Sequence, residues 1–182
     1  MSNLSTLFDR YKALVVFDTE TSGLDFDSDQ IIELAALIAG KMDTFIKLPE
    51  GETLPENIVS LTGITDERLQ TEGVQPAKAA SQIAKLMQNG PTLMIAHNAQ
   101  FDACFLRGLL RGQKVGRIDW LDSLTVYKDR RAYPHKLANA IIAYDLTGKV
   151  QNSHRAIDDV LALFEVLKAM DDEREDLGSY VN

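Results

Sequence analysis

Short apolar runs separated by turn-forming residues occupy the first third of the chain. Residues 14–17 and 30–38 are two such runs, and both predict β-strands. The stretch 21–29 between them is rich in Asp, Ser and Gly, which favour a turn. Residues 45–48 predict a third strand, which Pro49 ends. Because the connections are short, neighbouring strands in this part of the chain are expected to be antiparallel.

The pattern then changes to apolar residues at helical spacing, with Pro or Gly beside several of the segments. Helices are predicted at 55–62, 65–69, 76–88, 99–111, 122–130, 136–144 and 154–170, and strands at 92–96 and 117–121. Antiparallel strands followed by βα units predict an α/β fold with a mixed five-stranded sheet flanked by helices. We expect one domain over residues 1–182, with its core at about 14–170 and a short, solvated acidic tail at 171–182.

Composition narrows the class of protein. The chain has 182 residues, of which 45% are hydrophobic and 25% charged, and these globular values exclude a disordered or coiled-coil chain. The single cysteine, Cys104, excludes an internal disulfide and indicates a reducing compartment. The apolar runs are too short to cross a membrane, and residues 1–12 lack the layout of a signal peptide. A cytoplasmic protein is therefore expected.

Charge is unevenly distributed along the chain. The net charge of −8 argues against tight, indiscriminate binding of nucleic acid. Residues 104–155, however, hold ten Lys or Arg and four Asp or Glu, a local charge of +6. This segment either carries ordinary solvated helix faces or provides contacts to phosphates. The candidates for phosphate contacts are Arg107, Arg111, Lys128, Arg130, Arg131, Lys136 and Arg155.

Two carboxylates follow the first apolar run. Asp18 and Glu20 are two positions apart, so they share one face if the strand continues through them. Their like charges would then repel unless a cation is shared. Carboxylate oxygens at a strand end suit Mg²⁺ or Mn²⁺. The alternative is that the strand has already ended and both are ordinary loop acids.

A third carboxylate follows the predicted strand at 92–96. Asp102 lies in the segment that leads from this strand into a helix, where ligand-binding groups are often found. On a helical wheel, Asp102 borders the apolar stripe formed by Phe101, Phe105 and Leu109. A carboxylate in that position requires a partner, unless it is only an acid that favours the helix N-terminus.

A fourth carboxylate lies near the start of the last helix. Asp159 sits about 60° from the apolar residue Ala156 on the helical wheel, whereas Asp158 sits about 160° away. Asp159 is therefore the candidate ligand, and Asp158 is expected to face water. His154 can converge with Asp159 only at or before the first turn, which an N-cap at Ser153 would allow. Four acids and one histidine at element ends are typical of two-metal phosphoryl hydrolysis.

The same residues resemble three motifs of a known family. Residues 17–24 (FDTETSGL), 97–102 (HNAQFD) and 154–159 (HRAIDD) are similar, in this order, to the exonuclease motifs of the DnaQ-like 3′–5′ exonucleases. The His-x-Ala-x-x-Asp form of the third motif resembles the DEDDh branch. Residues 61–65 (LTGIT) also resemble a segment of the DNA polymerase III epsilon and PolC-type exonuclease domains.

The resemblance implies a ribonuclease H-like fold and a metal-dependent 3′–5′ exonuclease that releases nucleoside monophosphates from single-stranded DNA. It implies that two divalent ions, Mg²⁺ or Mn²⁺, are held by Asp18, Glu20, Asp102 and Asp159. It further implies that His154 is the general base for the attacking water. The pocket for the terminal nucleotide would be lined by Thr21, Ser22, Gly23, Leu24, His97 and Asn98. Ser22 departs mildly from the Thr that is more usual in the family.

Several alternatives stay open from the sequence. An exoribonuclease or an oligonucleotide-degrading enzyme of the same family would use the same residues, although DNA is favoured over RNA. A polymerase partner is implied by epsilon-type relatives, whereas a stand-alone role fits at least as well. A haloacid-dehalogenase-like phosphatase normally has Asp at the position of Glu20. A non-catalytic nucleic-acid-binding module would be expected to lack a metal ligand or the base.

Overall fold

A single mixed sheet forms the centre of the protein. The computed structural model describes residues 3–37, 41–87 and 90–182. Within them, the strands are β1 (Ala13–Thr21), β2 (Ile31–Leu37), β3 (Lys41–Phe45), β4 (Thr92–Ala96) and β5 (Ile118–Asp122). The order is β3-β2-β1-β4-β5, with β2 antiparallel to β1 and β3, and β4 parallel to β1 and β5. The predicted mixed five-stranded sheet is confirmed.

Helices flank this sheet. They are α1 (Asn3–Arg10), α2 (Glu56–Thr62), α3 (Asp66–Glu72), α4 (Pro76–Leu86), α5 (Ala99–Leu109), α6 (Ser123–Arg130), α7 (Leu137–Ala143) and α8 (Ala156–Glu173), and a short 3₁₀ helix spans Leu177–Tyr180. Pro76 at the start of α4 and Gly63 in a left-handed conformation after α2 mark boundaries that the sequence predicts. In the described part of the chain, no helix has the length and apolar composition needed to cross a bilayer.

The parallel pairing of β1, β4 and β5 determines where the chain leaves the sheet. Strands that run in the same direction end at the same edge, so the segments after β1, β4 and β5 begin beside one another. We call this border the carboxyl edge of the sheet. The first turns of α5 and α6 follow β4 and β5 directly and therefore also start there.

The side chains of successive residues in β1 lie on opposite faces of the sheet. Val15 and Phe17 are fully buried in the core that includes Ile83 of α4 and Phe105 of α5. Val16 belongs to a separate core that is shared with α8. Because side chains alternate along a strand, Asp18 and Glu20 follow Val16 onto the α8 face. The odd-numbered Thr19 instead points towards the face that α5 covers.

The third strand and the N-terminal segment differ from expectation. The strand is Lys41–Phe45 rather than 45–48. Ile46 forms an isolated bridge with Val74 and is buried in the core that contains Phe17, whereas Leu48 is buried in a small core with residues of α2 and α3. The apolarity of both residues therefore reflects burial outside the strand. A helix, α1, also precedes the first strand, and it buries Leu7 against α8 and the 3₁₀ helix.

The acidic tail was predicted to be solvated surface, and this prediction is wrong for its first part. α8 continues to Glu173, and Asp171 is only 1% exposed and accepts a hydrogen bond from the Leu4 backbone N–H at 3.0 Å. The chain then returns to the sheet, where Asn182 and Trp120 exchange backbone hydrogen bonds. The predicted strand end at Ile38, the predicted helix end at Gln88 and residues 1–2 lie outside the described residues.

Candidate active site

Asp18 and Glu20 lie inside β1 and not in a loop. The strand runs to Thr21, so both side chains project from the same face near the carboxyl edge. The alternative that these are ordinary loop acids is therefore wrong. Both carboxyl groups are partly screened from water, because α8 packs on this face.

Glu20, His154 and Asp159 come together at this edge. Each offers one ligand atom, and the three atoms lie within 4.8 Å of one another. His154 precedes α8, which begins at Ala156, so the helical phase that would separate it from Asp159 does not apply. The expected convergence is confirmed. The N-cap of α8 is Arg155 and not Ser153, and neither side chain caps the helix in the predicted way.

The backbone around His154 takes an unusual path. His154 has φ of 56°, in the left-handed region that residues with a Cβ rarely adopt. Two contacts close the segment onto the start of α8. The Ser153 N–H donates to the Asp159 carboxylate at 3.2 Å, and the Ser153 hydroxyl donates to Asp158. Asp159 is 7% exposed, as the helical wheel predicts, whereas Asp158, which was expected to face water, is half-buried.

Asp102 reaches the same edge from the opposite face of the sheet. It lies in the first turn of α5, is 3% exposed and accepts a hydrogen bond from the Thr19 hydroxyl at 2.8 Å. Asp102 is therefore anchored to β1 by the residue between Asp18 and Glu20. Sequence reasoning did not identify Thr19. The signal was a hydroxyl on the α5 face of a strand, next to a carboxylate that needed a partner.

The four acids repel one another. Burial, followed by the charges of Asp102, Asp159 and Glu20, raises the pKa of Asp18 well above its ordinary value. Burial, followed by the charge of Asp159, raises the pKa of Glu20 to about 8. Burial raises the pKa of Asp102 to about 7 although the Thr19 hydroxyl opposes the shift. Burial also raises the pKa of Asp159.

These observations test whether the residues suit divalent cations. The oxygen-rich donor set is the one that Mg²⁺ and Mn²⁺ prefer. Burial is the first cause of the raised pKa of each acid, and the charges of neighbouring site carboxylates add to it at Asp18 and Glu20, so a bound cation would favour the charged forms. Two divalent ions would bring four positive charges to four carboxylates. The donor set fits such ions, with Glu20, His154 and Asp159 forming the tightest group.

A fifth buried carboxylate, which sequence reasoning missed, adjoins these four. Glu33 on β2 is directly opposite Glu20 and has no exposed surface. The Arg155 guanidinium binds its two oxygens at 2.7–3.1 Å, and the Ala156 N–H donates to it at 3.0 Å. The available signal was a lone acid in the apolar run of residues 31–38, which must have a partner if the strand is buried.

His97 lies at the carboxyl edge, but both of its ring nitrogens bind protein groups. Its Nε2 lies 2.9 Å from the His135 carbonyl and its Nδ1 lies 2.9 Å from the Ser123 hydroxyl. Because a carbonyl can only accept, Nε2 carries the proton and Nδ1 accepts from Ser123. Burial lowers the pKa of His97, which favours this neutral form. The ring thus anchors the loop at residues 131–136 to the end of β4.

Asn98 links the second motif to the end of β5. Its backbone lies in the left-handed region, with φ of 75°, and its N–H donates to the Asp122 carboxylate at 2.9 Å. The Asn98 side chain is exposed at the start of α5. Asp122 also accepts from the Leu124 N–H, so it caps α6 as well.

The loop after β1 is ordered by its own polar side chains. The Thr21 hydroxyl donates to the Gly23 carbonyl, and the Ser22 hydroxyl donates to Asp29 at 3.0 Å. A Cβ on Gly23 would collide with the Asp29 carboxylate in its present position, so a larger residue would displace this side chain. The loop presents Leu24, which is 82% exposed, beside the carboxyl edge. Its second exposed apolar side chain, Phe26, was not identified from the sequence.

Three of the seven basic candidates are engaged within the protein. Arg155 binds Glu33, Arg130 binds Glu173 and Asp176, and Arg131 binds Glu173. The remaining candidates are exposed: Arg107, Arg111, Lys128 and Lys136. Lys128 acts electrostatically on His97 and Lys136 follows His135, so both lie near the loop that His97 anchors. Arg107 and Arg111 instead line a cavity of about 540 Å³ beside Trp120.

Comparison with known proteins identifies relatives over most of the chain. The model of the family described as RNase_T, an exonuclease, matches residues 15–167. The chain is 34% identical over 164 residues to the PolC-type DNA polymerase III of Clostridium perfringens, which covers 85% of this chain and 11% of that protein. It is 28% identical over 170 residues to the DNA polymerase III epsilon subunit of Treponema pallidum, covering 87% of this chain and 76% of that protein.

Solved structures share the fold at lower identity. The zinc-bound complex of E. coli exonuclease I with single-stranded DNA has a TM-score of 0.73 at 20% identity, over 93% of this chain and 42% of that one. Exonuclease I of Methylocaldum szegediense has a TM-score of 0.74 at 18% identity, over 91% of this chain and 41% of that one. The chain thus spans about a tenth of the PolC-type relative and less than half of either exonuclease I. The ribonuclease H-like fold and the family resemblance expected from the three motifs are confirmed.

Proposed function

The chain belongs to the RNase_T exonuclease family, and on that premise we propose that it removes nucleoside monophosphates from the 3′ end of single-stranded DNA by metal-dependent hydrolysis. The observation that carries the proposal is the convergence of Glu20, His154 and Asp159 within 4.8 Å. Asp18 and Asp102 complete an acidic site whose charges act on one another. All five residues needed for this chemistry are therefore present at one edge of the sheet.

Each side chain has a part in the proposed mechanism. Asp18, Glu20, Asp102 and Asp159 hold two divalent ions, either Mg²⁺ or Mn²⁺. When bound, such ions lower the pKa of a coordinated water and stabilise the leaving 3′ oxygen. His154 accepts the proton of the attacking water at a ring nitrogen. Its exposed position allows this, and an imidazole is suited to the transfer near neutral pH.

The residues that follow β1 and β4 are proposed to receive the terminal nucleotide. Leu24 offers an exposed apolar surface against which a base can pack, on the loop ordered by Thr21, Ser22 and Gly23. Asn98 is exposed at the start of α5, where polar groups can contact a phosphate or sugar. His97 contributes by holding the 131–136 loop, since both of its ring nitrogens are engaged.

Single-stranded DNA is preferred over RNA in this proposal because of the relatives. The similar structure of E. coli exonuclease I contains single-stranded DNA, and the relatives in C. perfringens and T. pallidum are parts of DNA polymerase III. The net charge of −8 favours contact with a short stretch at a chain end over binding along long DNA. Degradation of RNA or short oligonucleotides is the competing activity.

The first experiment is a time course on 5′-labelled single-stranded DNA and RNA of equal sequence, with Mn²⁺, Mg²⁺ or EDTA. We expect a descending ladder that requires metal and is faster on DNA. Asp18→Ala should abolish it. A faster ladder on RNA would reverse the sugar preference, and no ladder on either substrate would overturn the proposal.

The similarity to the PolC-type DNA polymerase III and to the epsilon subunit also supports a proofreading role with a DNA polymerase. This role predicts that a mispaired 3′ terminus on a primer–template is removed faster than a paired one, since a frayed end enters a single-strand site more easily. Equal rates on the two termini would favour a stand-alone function instead.

Two exposed lysines are proposed to contact phosphates. Lys128→Gln and Lys136→Gln should each reduce the slope of log affinity against log salt by about 0.7 for single strands. Lys85→Gln, which makes the same charge change on α4, is the matched control and should leave the slope unchanged. A slope unaffected by all three substitutions would place the phosphate contacts elsewhere.

A further inference from the structure

Glu33 is a buried carboxylate that the proposed chemistry does not use. It is the antiparallel partner of Glu20 on the α8 face, and its side chain has no exposed surface. Like charges directly opposite in an antiparallel pair are destabilising. Asp43 of β3 adds a third acid, because it lies close enough to Glu33 for the two side chains to interact electrostatically. A buried group in such surroundings needs a specific compensating contact.

Arg155 supplies that contact from a segment 122 residues away. Its Nε lies 3.1 Å from both Glu33 oxygens, and its Nη2 lies 2.7 Å from Oε1. The Phe45 ring lies 5.1 Å from the guanidinium carbon, so the arginine is held between a carboxylate and an aromatic face. The same carboxylate accepts the Ala156 N–H at 3.0 Å and thereby caps α8 across the sheet.

These contacts fall on both sides of one short segment. Arg155 directly follows His154, and Asp159 lies in the first turn of the helix that Glu33 caps. His154 has the left-handed φ of 56°, a conformation that persists only where the surroundings hold it. The contact between β2 and Arg155 therefore ties this segment to the sheet, in addition to the local contact of Ser153 with Asp159.

We propose that Glu33 and Arg155 are positioning residues that lock residues 153–156 against β2 and so set the places of His154 and Asp159 relative to Glu20. This inference rests on the proposed function, because it assigns the lock to the same site. Arg155, although it was a candidate for phosphate contact, acts in this way through Glu33.

The test compares four variants of the full chain. Glu33→Gln keeps the shape of the side chain and an acceptor for the Ala156 N–H. Arg155→Gln removes the guanidinium. Arg155→Lys keeps the positive charge but loses the paired N–H donors that bind Glu33. The fourth variant combines Glu33→Gln with Arg155→Gln. The matched control is Arg68→Gln, because Arg68 packs on the same Phe45 ring at 4.5 Å but pairs with Glu72 of its own helix.

We expect kcat at saturating Mn²⁺ and DNA to fall about 100-fold for Arg155→Gln and about 10-fold for Arg155→Lys, with KM changed by less than about threefold. The kcat of the double variant should lie within about threefold of the kcat of the less active single variant, because each change breaks the same contact. Arg68→Gln should match the wild-type protein. The higher kcat of Arg155→Lys than of Arg155→Gln would show that the positive charge alone restores part of the effect.

Two further measurements do not depend on nuclease activity. Free Mn²⁺ followed by electron paramagnetic resonance should show at least about tenfold weaker binding in Glu33→Gln and Arg155→Gln. The Ala156 amide should exchange its hydrogen faster in Arg155→Gln, because Glu33 then lacks the guanidinium that holds its carboxylate toward this N–H. Unchanged kcat and Mn²⁺ affinity in folded variants, or strictly multiplicative losses in the double variant, would overturn the proposal. If the wild-type protein cleaves nothing, the proposed function fails, while metal affinity and amide exchange still decide whether the lock exists.

Discussion

Two clusters of charged side chains lie at opposite ends of α8, and they are built in opposite ways. At its start, Asp159 meets Asp18, Glu20 and Asp102, and burial raises the pKa of each of these acids. At its end, Asp129, Glu173 and Asp176 meet Arg130, Arg131 and Arg174. Hydrogen bonds from Tyr180 and Arg174 lower the pKa of Asp129.

The two clusters differ in how their negative charges are neutralised. At the end of α8 every acid named has an arginine within 3.4 Å, so the charges are balanced within the chain itself. At the start of α8, Arg155 is the nearby arginine, and it is bound to Glu33. The excess of negative charge at the carboxyl edge is therefore left for cations from solution. The arginine-paired cluster at the end of α8 stabilises the fold. The acidic cluster at the start of α8 is instead expected to bind divalent cations.

The largest expected effect follows from removing one charge at the start of α8. Asp159→Asn should lower the exonuclease rate about 10³-fold or more, because losing a metal ligand removes several kcal/mol of transition-state stabilisation. Asp172→Asn, an exposed position of the same helix, is the control and should keep the wild-type rate. The readout is single-turnover cleavage of labelled DNA. Equal losses in the two variants would show that the ends of α8 do not differ in function.

The next effect concerns the balanced cluster. The Arg130 side chain is 3% exposed, and it donates to the carbonyls of Met170 and Arg174 and to Asp176. Arg130→Met should lower the free energy of unfolding by about 2–4 kcal/mol, or Tm by about 5–12 °C. Because Arg130 makes its hydrogen bonds to α8 and the segment after it and not to the acids of the candidate site, kcat of the folded fraction should be unchanged. Urea denaturation beside a nuclease assay checks both parts, and a loss of kcat without a loss of stability would contradict the comparison.

The smallest expected effect is that the two clusters change the stability of the protein with pH in opposite directions. Glu20 has a pKa of about 8 in the folded protein against an ordinary value of 4.5, so the folded state holds a proton that the unfolded state releases. In EDTA, stability should therefore fall as pH rises from about 5 to about 8.5, with Tm decreasing by about 5 °C. Asp129 has a lowered pKa, so its contribution is lost in the opposite direction, as pH falls into the acid range.

Metal should reverse the alkaline part of this profile. Divalent ions bind the deprotonated acids, so millimolar Mn²⁺ should raise Tm more at pH 8 than at pH 5. Glu20→Gln should make the decrease in Tm between pH 5 and pH 8.5 smaller in EDTA, because it removes one titrating acid while Asp18, Asp102 and Asp159 remain. Thermal melts across this range, with EDTA and with Mn²⁺, provide the measurement. A profile in EDTA that does not change between pH 5 and 8.5 would show that the acids are not crowded.

Much of the candidate site followed from local patterns. Asp18 and Glu20 were placed on one face by the period of a strand, and Asp159 was separated from Asp158 by the period of a helix. Both arguments need only neighbouring residues, and the structure confirms them. Thr19 and Glu33 were missed, because their importance depends on partners 83 and 122 positions away. His97 was expected to face substrate, and its engagement with Ser123 and His135 was equally invisible from local sequence.

The sequence by itself determined the class of fold, most of the order of its elements after α1, the family and the candidate acidic residues of the site. Each of these rests on short-range periodicity or on a motif of a few adjacent residues. Only the tertiary structure decided which basic residues stay exposed, how Asp102 is tied to β1, and how Arg155 is held by a carboxylate on β2. The reason is physical: a buried charge must find its partner across the sheet, and the identity of that partner depends on strand register and on helix packing.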